Sequence, residues 1–352
     1  MPTHFPADSK KRVQDEIERR EHRMKLDEFG LIRTLTARVP VTGPHVVLGP
    51  GDDAAVLEAL PDERVLATSD TMVQGPHFLP ETMAPFDVGY KAVAASISDI
   101  AAMGGEPRHV LIALGIPSSI EVDFMESIYD GVGQICREYQ CTVVGGDVVR
   151  TDGPLFINTT VLGATSRPPL KRSGAQPGNL VFVTGYVGSA AAGLDVLRSS
   201  SITAKEDAAF LTAAHQRPKP QVAAGQIFSL EGATSCDDIS DGLASELNEI
   251  ANASNVRMRI QTQRIPIHTA VRNLARVRGT DTLDYAFYGG EDYQLVGTAS
   301  PFQFARILAR CESIGISVQQ IGRVEAGDGV VAEFPDGRLD VISAKGYNHF
   351  AE

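Results

Sequence analysis

Acidic residues recur along this sequence in short stretches that also contain glycine or hydroxyl side chains. Gly51-Asp52-Asp53 follows an apolar run at 46–48, and Thr68-Ser69-Asp70-Thr71 follows another at 65–67. Three further stretches are Ser98-Asp99, Gly145-Gly146-Asp147 and the segment from Asp237 to Gly242. No basic residue interrupts them, and carboxylates gathered without Lys or Arg repel one another unless cations hold them together. Because the side-chain donors are all oxygen, the pattern indicates Mg²⁺ or another hard ion rather than zinc or iron.

The elements that would position these acids form an α/β pattern. Two short strands are expected to end in the first two acidic stretches as turns, and a strand at 142–144 in the turn that contains Asp147. A helix between Pro85 and Gly105 would present Asp99 on a row of small side chains, although a charge there is more often only solvent-facing. Strands and helices alternate to about residue 165, which predicts an α/β fold.

A segment rich in Ser, Pro and Gly at 166–178 is the expected domain boundary. The predicted units are a charged N-terminal extension (1–25), a first α/β domain (26–165) and a second α/β domain (166–352). In the second unit, the 238–242 segment precedes a helix, so an N-cap role would explain Ser240 or Asp241 but not Asp238 as well. The stretch from Gly289 to Tyr293 could be a tight turn whose charges are incidental.

Composition narrows the class of protein. A chain of 352 residues with 43% hydrophobic and 22% charged residues favours a two-domain globular protein, and its apolar runs are too short for a membrane span. The charged N-terminus lacks the apolar segment of a secretory signal. A formal net charge of −12 argues against nucleic-acid binding. The four cysteines show no C-x-x-C spacing, so a reducing cytoplasm is the expected location.

Several catalytic classes lack their motifs in this sequence. It contains neither a G-x-S-x-G nucleophile elbow nor a Gly-Lys-Ser/Thr phosphate loop, and the His-Arg-Asp and Asp-Phe-Gly elements of protein kinases are also missing. A site with several carboxylates, several metal ions and glycine-rich turns suits phosphoryl transfer by charge neutralisation and positioning. The residues by themselves predict that reaction class and no particular substrate.

Six motifs, in order, resemble those of the thiamine-monophosphate kinase family across roughly residues 26–350. They are the 51–57 segment, Ser69-Asp70-Thr71 with His77-Phe78, the 90–104 segment, Gly145-Gly146-Asp147, the 238–243 segment and Gly289-Gly290-Glu291-Asp292-Tyr293. The resemblance implies a two-domain fold of the aminoimidazole ribonucleotide synthetase type that dimerises through its N-terminal domains. It also implies transfer of phosphate from ATP to thiamine monophosphate with several Mg²⁺ ions, in a site that the C-terminal domain completes.

The resemblance also implies roles for individual residues. Positions that match metal ligands are Asp53, Thr68, Ser69, Asp70, Asp99, Asp147, Asp238 and Asp241, of which Asp70, Asp147 and Asp241 are expected to be catalytic. Positions that match ATP contacts are Tyr129, Gly146, Asp147, Arg172 and Ser240. His77, Glu291 and Tyr347 match substrate contacts, although the family usually has tryptophan at the last of these. No role is assigned to Asp52 or Asp292.

Two alternatives stay open at this point. One is another ATP-dependent member of the superfamily, such as formylglycinamidine synthetase or aminoimidazole ribonucleotide synthetase. Selenophosphate synthetase is disfavoured, because no cysteine precedes Cys136 that could serve as an N-terminal selenium nucleophile. The other is a catalytically silent protein that binds metal and nucleotide.

Overall fold

The computed structural model describes residues 28–50, 56–199 and 204–345. Within these ranges the strands form one two-stranded pair, a four-stranded sheet in the first half of the chain and a seven-stranded sheet in the second half. Helices accompany both larger sheets, so the predicted α/β class is confirmed. The predicted N-terminal extension, 1–25, lies outside the described residues.

The first half is built on the four-stranded sheet. Its helices are α1 (Glu28–Thr36), α2 (Pro85–Ala102) and α3 (Val122–Glu138), and its strands are β1 (Val46–Leu48), β2 (Val56–Leu57), β3 (Arg64–Val73), β4 (Glu106–Pro117), β5 (Thr142–Thr151) and β6 (Phe156–Thr165). The sheet order is β3-β6-β4-β5, in which only the β4–β5 pair is parallel. The helix predicted between residues 85 and 105 is confirmed as α2.

Two acidic stretches predicted as turns instead lie inside strands. Thr68, Ser69 and Asp70 fall in the middle of β3, and Asp147 falls in the middle of β5. Backbone pairing is the physical reason, since β3 continues along β6 through Asp70 and β5 continues along β4 through Asp147. A short apolar run therefore marked only the buried beginning of each strand.

The two faces of this sheet differ. Successive strand residues point to opposite faces, and along β3 Leu66 and Met72 are buried while Val65 is 72% exposed. On the helix face the sheet joins the core that contains Val93 of α2 and Val132 of α3, both fully buried. Within the described chain the other face is open to solvent.

The second half holds the seven-stranded sheet, in the order β13-β12-β9-β11-β7-β10-β8, in which only the β9–β12 pair is parallel. Its strands are β7 (Leu180–Thr184), β8 (Ser235–Asp238), β9 (Arg257–Gln261), β10 (Leu295–Ala299), β11 (Val318–Glu325), β12 (Gly329–Glu333) and β13 (Leu339–Ile342). Its helices are α4 (Ser189–Arg198), α5 (Lys205–Gln216), α6 (Val222–Glu231), α7 (Leu243–Ser254), α8 (Thr269–Arg278), α9 (Thr282–Tyr288) and α10 (Pro301–Ser313).

Alternation along β7 separates two cores on opposite faces of this sheet. Val181 and Val183 pack with the core that includes α4, α5, α7, α8 and α9, whereas Phe182 packs with the core that includes α6 and α10. This second core also contains Ala101 and Ala102 from α2. The two halves of the chain therefore share a hydrophobic core at their junction.

Close helix packing brings α2 against the second half. A side chain at Gly225 of α6 would place its Cβ 1.9 Å from the carbonyl oxygen of Ala101, so the contact needs a residue without a side chain. Near the same end of α2, the Ser98 hydroxyl donates to Asp238 Oδ2 at 2.7 Å. The junction therefore joins the acid-bearing helix of the first half to the acid-bearing strand of the second.

None of the helices in the described part of the chain has the length and apolarity that a membrane crossing requires. All four cysteines lie in that part, and each is buried with a free thiol.

Candidate functional site

Three carboxylates meet where the two halves join: Asp70 on β3, Asp99 on α2 and Asp238 at the end of β8. Each accepts a hydrogen bond from a hydroxyl. Ser96 donates to Asp70 and Ser98 to Asp238, both at 2.7 Å, and Thr68 donates to Asp99. These bonds fix the orientation of three acids that come from separate parts of the chain. We call them the carboxylate cluster.

Burial and charge repulsion change the pKa values of the carboxylate cluster. Burial, followed by the charge of Asp70, raises the pKa of Asp99 to about 6. Burial, followed by the charge of Asp99, raises the pKa of Asp238 well above its usual range. Burial also raises the pKa of Asp70. Groups perturbed in this way concentrate at functional sites, because a structural role rarely requires unpaired acids to be buried together.

One basic residue reaches the edge of the carboxylate cluster. The Arg172 Nε lies 2.7 Å from Asp237 Oδ2, and the Arg172 side chain is 54% exposed. Burial raises the pKa of Asp237 to about 6, and Arg172 partly opposes that rise. The sequence suggested acids without basic partners, and this is wrong for Asp237, whose partner lies 65 residues earlier in the chain. The exposed remainder of Arg172 can still reach an anion at the mouth of the site.

The loop after Asp238 is held by an acid that sequence reasoning missed. Glu246 of α7 is 4% exposed, and its Oε1 accepts the Asp241 N–H at 2.9 Å and the Ser240 hydroxyl at 3.4 Å. Burial raises the pKa of Glu246 to about 8, although the Asp241 N–H opposes the rise. Its position in the first turn of the helix was the available signal. The N-cap of α7 is Gly242 without a side-chain cap, so the capping explanation for Ser240 and Asp241 is wrong.

The Gly289–Tyr293 loop approaches the carboxylate cluster from the second half. The Glu291 N–H donates to the Ser240 carbonyl at 2.7 Å, and Glu291 and Tyr293 adopt left-handed φ values of 67° and 49°. Such values are uncommon for residues other than glycine and concentrate at functional loops. Burial, then the charges of Glu291, Asp70, Asp238 and Asp99, raises the pKa of the Tyr293 phenol. The Tyr293 ring therefore lies among four carboxylates.

The structure gives Asp292 a structural role. Its carboxylate is buried and accepts the N–H groups of Gly188 and Ala190 at the start of α4. Burial raises its pKa to about 7, whereas the backbone N–H groups of Ala190, Gly188 and Ser189 oppose the rise. Asp292 thus satisfies the N-terminal N–H groups of a helix distant in sequence, while its neighbour Glu291 contacts Lys91 and His215.

Asp292→Ala is expected to lower the free energy of unfolding by roughly 2 kcal/mol or more, since two buried N–H groups would lose their acceptor. Asp281→Ala is the matched control, because Asp281 caps the exposed start of α9 through one bond to the Leu283 N–H at 2.9 Å. The control should cost about 1 kcal/mol. Urea denaturation of both variants measures the difference, and an equal or smaller loss for Asp292→Ala would contradict this assignment.

His77 lies near Glu291 although 214 residues separate them. The His77 Nδ1 accepts the Val73 N–H at 3.1 Å, which assigns the proton of the neutral ring to Nε2. Burial alone would raise the pKa of Glu291, but the charges of Lys91, His215 and His77 lower it overall. The two side chains matched to the substrate thus share one region beside the carboxylate cluster.

Other sequence-predicted residues do not join the carboxylate cluster within one chain. Ser69 and Asp147 are exposed and point to the open face of the sheet, opposite to Asp70. Gly146 lies three strands away from Asp70 in the paired row, roughly 14 Å. Tyr129 is 5% exposed inside the first core. Their proposed roles stay predictions, and Asp53 and Tyr347 lie outside the described residues.

The side chains of the described residues do not by themselves form a metal-binding group. Among residues 28–50, 56–199 and 204–345, no group of three or more His, Cys, Asp or Glu side chains converges as a metal site. Each acid of the carboxylate cluster instead accepts a hydrogen bond from a hydroxyl. Phosphate oxygens would therefore have to complete the coordination of any cation that bridges these acids.

The arrangement of two halves with the carboxylate cluster at their junction is the basis for assigning the class of this protein. Residues 51–165 match the family model described as AIR synthase related protein, N-terminal domain, and residues 176–334 match the corresponding C-terminal domain. The chain belongs to this class and, within it, to the thiamine-monophosphate kinase family.

Three relatives illustrate the match. The thiamine-monophosphate kinase of Bacillus subtilis (strain 168) is 36% identical over 329 residues, which cover 92% of this chain and 100% of that protein. The crystal structure of thiamine-monophosphate kinase from Stenotrophomonas maltophilia K279a has a TM-score of 0.78 at 34% identity, over 89% of this chain and 98% of that one. The structure of AaThiL complexed with AMPPCP and TMP has a TM-score of 0.74 at 33% identity, and the match covers 93% of this chain and 98% of that one.

Proposed function

We propose that this protein transfers the γ-phosphate of ATP to thiamine monophosphate, giving ADP and thiamine diphosphate. Family membership supplies the reaction, and the observation that carries it to this chain is the meeting of a buried carboxylate cluster with His77 and Glu291. The cluster suits the polyphosphate part of two substrates, and the neighbouring pair suits the organic part of the acceptor.

Mg²⁺ fits the donor set by its chemistry. Asp70, Asp99 and Asp238 offer only oxygen. Burial, followed by the charge of a neighbouring acid, raises the pKa values of Asp99 and Asp238, and a divalent cation would oppose this rise. Thr68 and Asp241 add oxygen donors beside them. Bound there, Mg²⁺ would neutralise charge on the transferring phosphate and its two flanking groups. Asp53, Ser69 and Asp147 complete the proposed ligand set.

The acceptor requires no general base from the protein. The second pKa of a phosphate monoester is about 6, so at neutral pH the acceptor is already largely the nucleophilic dianion. The difficulty is bringing two polyanions together. Arg172 and Ser240 lie at the mouth of the site and are proposed to contact the nucleotide, with Gly146 and Tyr129 as further contacts from the family match. Tyr347 is proposed to contact thiamine.

The test is to incubate the protein with ATP, Mg²⁺ and thiamine monophosphate and to separate the products by chromatography. We expect stoichiometric ADP and thiamine diphosphate. Controls without acceptor, or with unphosphorylated thiamine, distinguish transfer from ATP hydrolysis. ATP binding without any product would favour a silent metal–nucleotide binding protein. Turnover of ATP only with a different acceptor would favour another superfamily activity.

Phosphate transfer is expected to be direct, without a phosphorylated enzyme. A covalent intermediate needs an activated nucleophile, and the aspartates are better used as metal ligands whose charge is already shared. Steady-state kinetics with both substrates varied should give intersecting lines, and a chiral γ-phosphorus should be inverted. Parallel lines with net retention would show a phosphoenzyme and contradict this mechanism.

A homodimer is proposed because one chain does not bring Asp147 to the carboxylate cluster. Asp147 points to the open face of the four-stranded sheet, where Val65 and Val149 are 72% and 45% exposed. A second copy seated on this face would bury the exposed apolar residues. Asp70 and Asp147 lie on the two opposite edge strands of the sheet, β3 and β5, so a copy whose β5 approaches the β3 edge would bring Asp147 of each chain towards the acids of the other. Two further proposals are separate from the dimer. The chain divides into two domains at 166–178, and the protein is cytoplasmic.

Mixed dimers give a sharp test of this arrangement. Asp70→Asn and Asp147→Asn should each lose at least ~10²-fold in kcat as homodimers. When the two variants are unfolded and refolded together, heterodimers would contain one fully intact site if Asp147 serves the partner's cluster. Activity should then recover to roughly a quarter of the wild-type value, as expected for a statistical mixture with one intact site in half of the dimers. No recovery in verified heterodimers would place Asp147 in its own chain's site.

A further inference from the structure

A buried charge pair crosses the junction beside the proposed acceptor site. Lys91 of α2 is fully buried, and its Nζ lies 2.6 Å from Glu291 Oε2 in the second half. His215 at the end of α5 is 2% exposed, and its Nδ1 lies 3.4 Å from the same oxygen. Neither Lys91 Nζ nor His215 Nδ1 has a partner in hydrogen-bond geometry among the described residues. Both nitrogens therefore face one carboxylate oxygen and have no competing hydrogen-bond partner among the described residues.

Burial makes this arrangement costly. It lowers the pKa of Lys91, which the charge of Glu291 opposes. Burial, followed by the charge of Lys91, lowers the pKa of His215 to about 4, so this ring is neutral at neutral pH. A buried ion pair is often no better for stability than apolar residues of similar size. The Lys91–Glu291 pair is therefore expected to have a role other than stabilising the fold.

The position of the Glu291 side chain indicates that role. It is 31% exposed although Oε2 is held by buried groups, which leaves Oε1 as the oxygen available to a ligand. The backbone at Glu291 is left-handed, and its N–H is tied to Ser240. The loop is braced again by Asp292 on α4. The backbone hydrogen bond of Glu291, the contacts of Asp292 and the ion pair with Lys91 therefore all restrict the direction of this carboxylate.

We propose that Lys91 is a positioning residue for acceptor binding, which holds one oxygen of Glu291 from across the junction so that the other oxygen faces the organic part of the acceptor. That part, in thiamine monophosphate, carries a positively charged ring and an amino group, and both favour a fixed carboxylate. His215 forms the wall against which this carboxylate rests. The inference rests on the proposed function and assigns a role to two residues that do not themselves touch the acceptor.

A double-mutant cycle tests it. Dissociation constants for thiamine monophosphate are measured calorimetrically, with Mg²⁺ and a non-hydrolysable ATP analogue, for wild type, Lys91→Met, Glu291→Gln and the double variant. Lys91→Met should raise the constant by ~10-fold or more in the wild-type background. In the Glu291→Gln background the same change should have an effect of less than about twofold. The dissociation constant for the ATP analogue should stay within about twofold throughout.

Arg217→Met is the matched control. Arg217 follows α5 two residues after His215, and its Nε lies 2.5 Å from Asp87 Oδ1 on α2, one helical turn before Lys91. This variant breaks a second ion pair between α2 and the second half of the chain without touching Glu291. It should leave acceptor binding unchanged.

Three results would overturn the proposal. They are an unchanged acceptor constant in Lys91→Met, an equal loss in both backgrounds, and an equal loss for acceptor and nucleotide. Should Lys91→Met not fold, Lys91→Arg replaces it in the same cycle, since the charge is kept while the carboxylate is displaced. Wild-type protein that forms thiamine diphosphate while Lys91 variants bind normally would refute this inference alone. Inactive wild-type protein would refute the proposed function.

Discussion

Asp99→Asn is expected to reduce kcat by at least ~10²-fold, the scale of losing one preorganised electrostatic contact. Asp99 lies between Asp70 and Asp238 and is coupled to both by charge. The amide keeps an oxygen that can accept the Thr68 hydroxyl, so the local hydrogen bond survives. What disappears is the negative charge that a bridging cation needs. Steady-state kinetics at saturating ATP and acceptor measure this loss.

The same variant should be more stable than wild type in chelator. The folded-state pKa of Asp99 is raised to about 6. Ionisation of Asp99 therefore lowers the stability of the folded protein as pH rises from the unfolded-state pKa through this value. At pH 7.5 this loss of stability is complete. The asparagine side chain of the variant does not ionise, so the variant avoids the loss. Thermal unfolding in chelator should therefore shift upward, on the order of 2 °C.

Asp284→Asn, an exposed change on α9, is the control and should alter neither activity nor unfolding temperature. An active Asp99→Asn enzyme would reduce Asp99 to a structural acid. A variant that is inactive but also destabilised would indicate that Asp99 supports the fold and would remove the evidence for a stability–function trade-off.

Metal removal is expected to abolish activity completely. Among the residues that the structure describes, burial and the Ser96 hydroxyl, and no basic residue, shift the pKa of Asp70. The acids of the cluster repel one another, and the phosphates of the substrates add further negative charge to this unfavourable site. Activity should disappear in excess chelator and return with excess Mg²⁺, as followed by thiamine diphosphate formation. Calorimetry should show Mg²⁺ binding that is strengthened by the ATP analogue, since the described part of the chain holds no group of three or more His, Cys, Asp or Glu side chains that could bind the ion alone.

A metal-free sample with full turnover would refute the multi-metal mechanism. Asp284→Asn again serves as the comparison, because its Mg²⁺ dependence should match that of wild type. Asp99→Asn should need more Mg²⁺ for any remaining activity. A uniform Mg²⁺ dependence across these variants would mean that the cation arrives only as part of the nucleotide.

The order of the acidic motifs and the α/β class of the fold were determined by sequence. Helix α2 was predictable because Val93, Ile97 and Ile100 recur at helical spacing and Gly104-Gly105 follows them. The α/β class followed from the alternation of such segments. These features depend on neighbours within a few residues, and local rules describe that range.

Tertiary structure decided which acids meet. Asp70 and Ser69 are adjacent in sequence, yet strand alternation sends one to the junction and the other to the open face. Predicting this required the length of β3, which is set by its pairing with β6 about 90 residues later. The same limit explains why Asp147 was expected in a turn near the other acids.

The supporting residues were also outside the reach of sequence. Nothing near Lys91 in the chain announces a partner 200 residues away, and Asp292 looks equivalent to Glu291 until α4 is seen against it. Sequence specifies residue types and local spacing, so it could propose oxygen donors for this site. Burial and long-range contact fix the charge and orientation of each side chain, and these arise only when the two halves pack together.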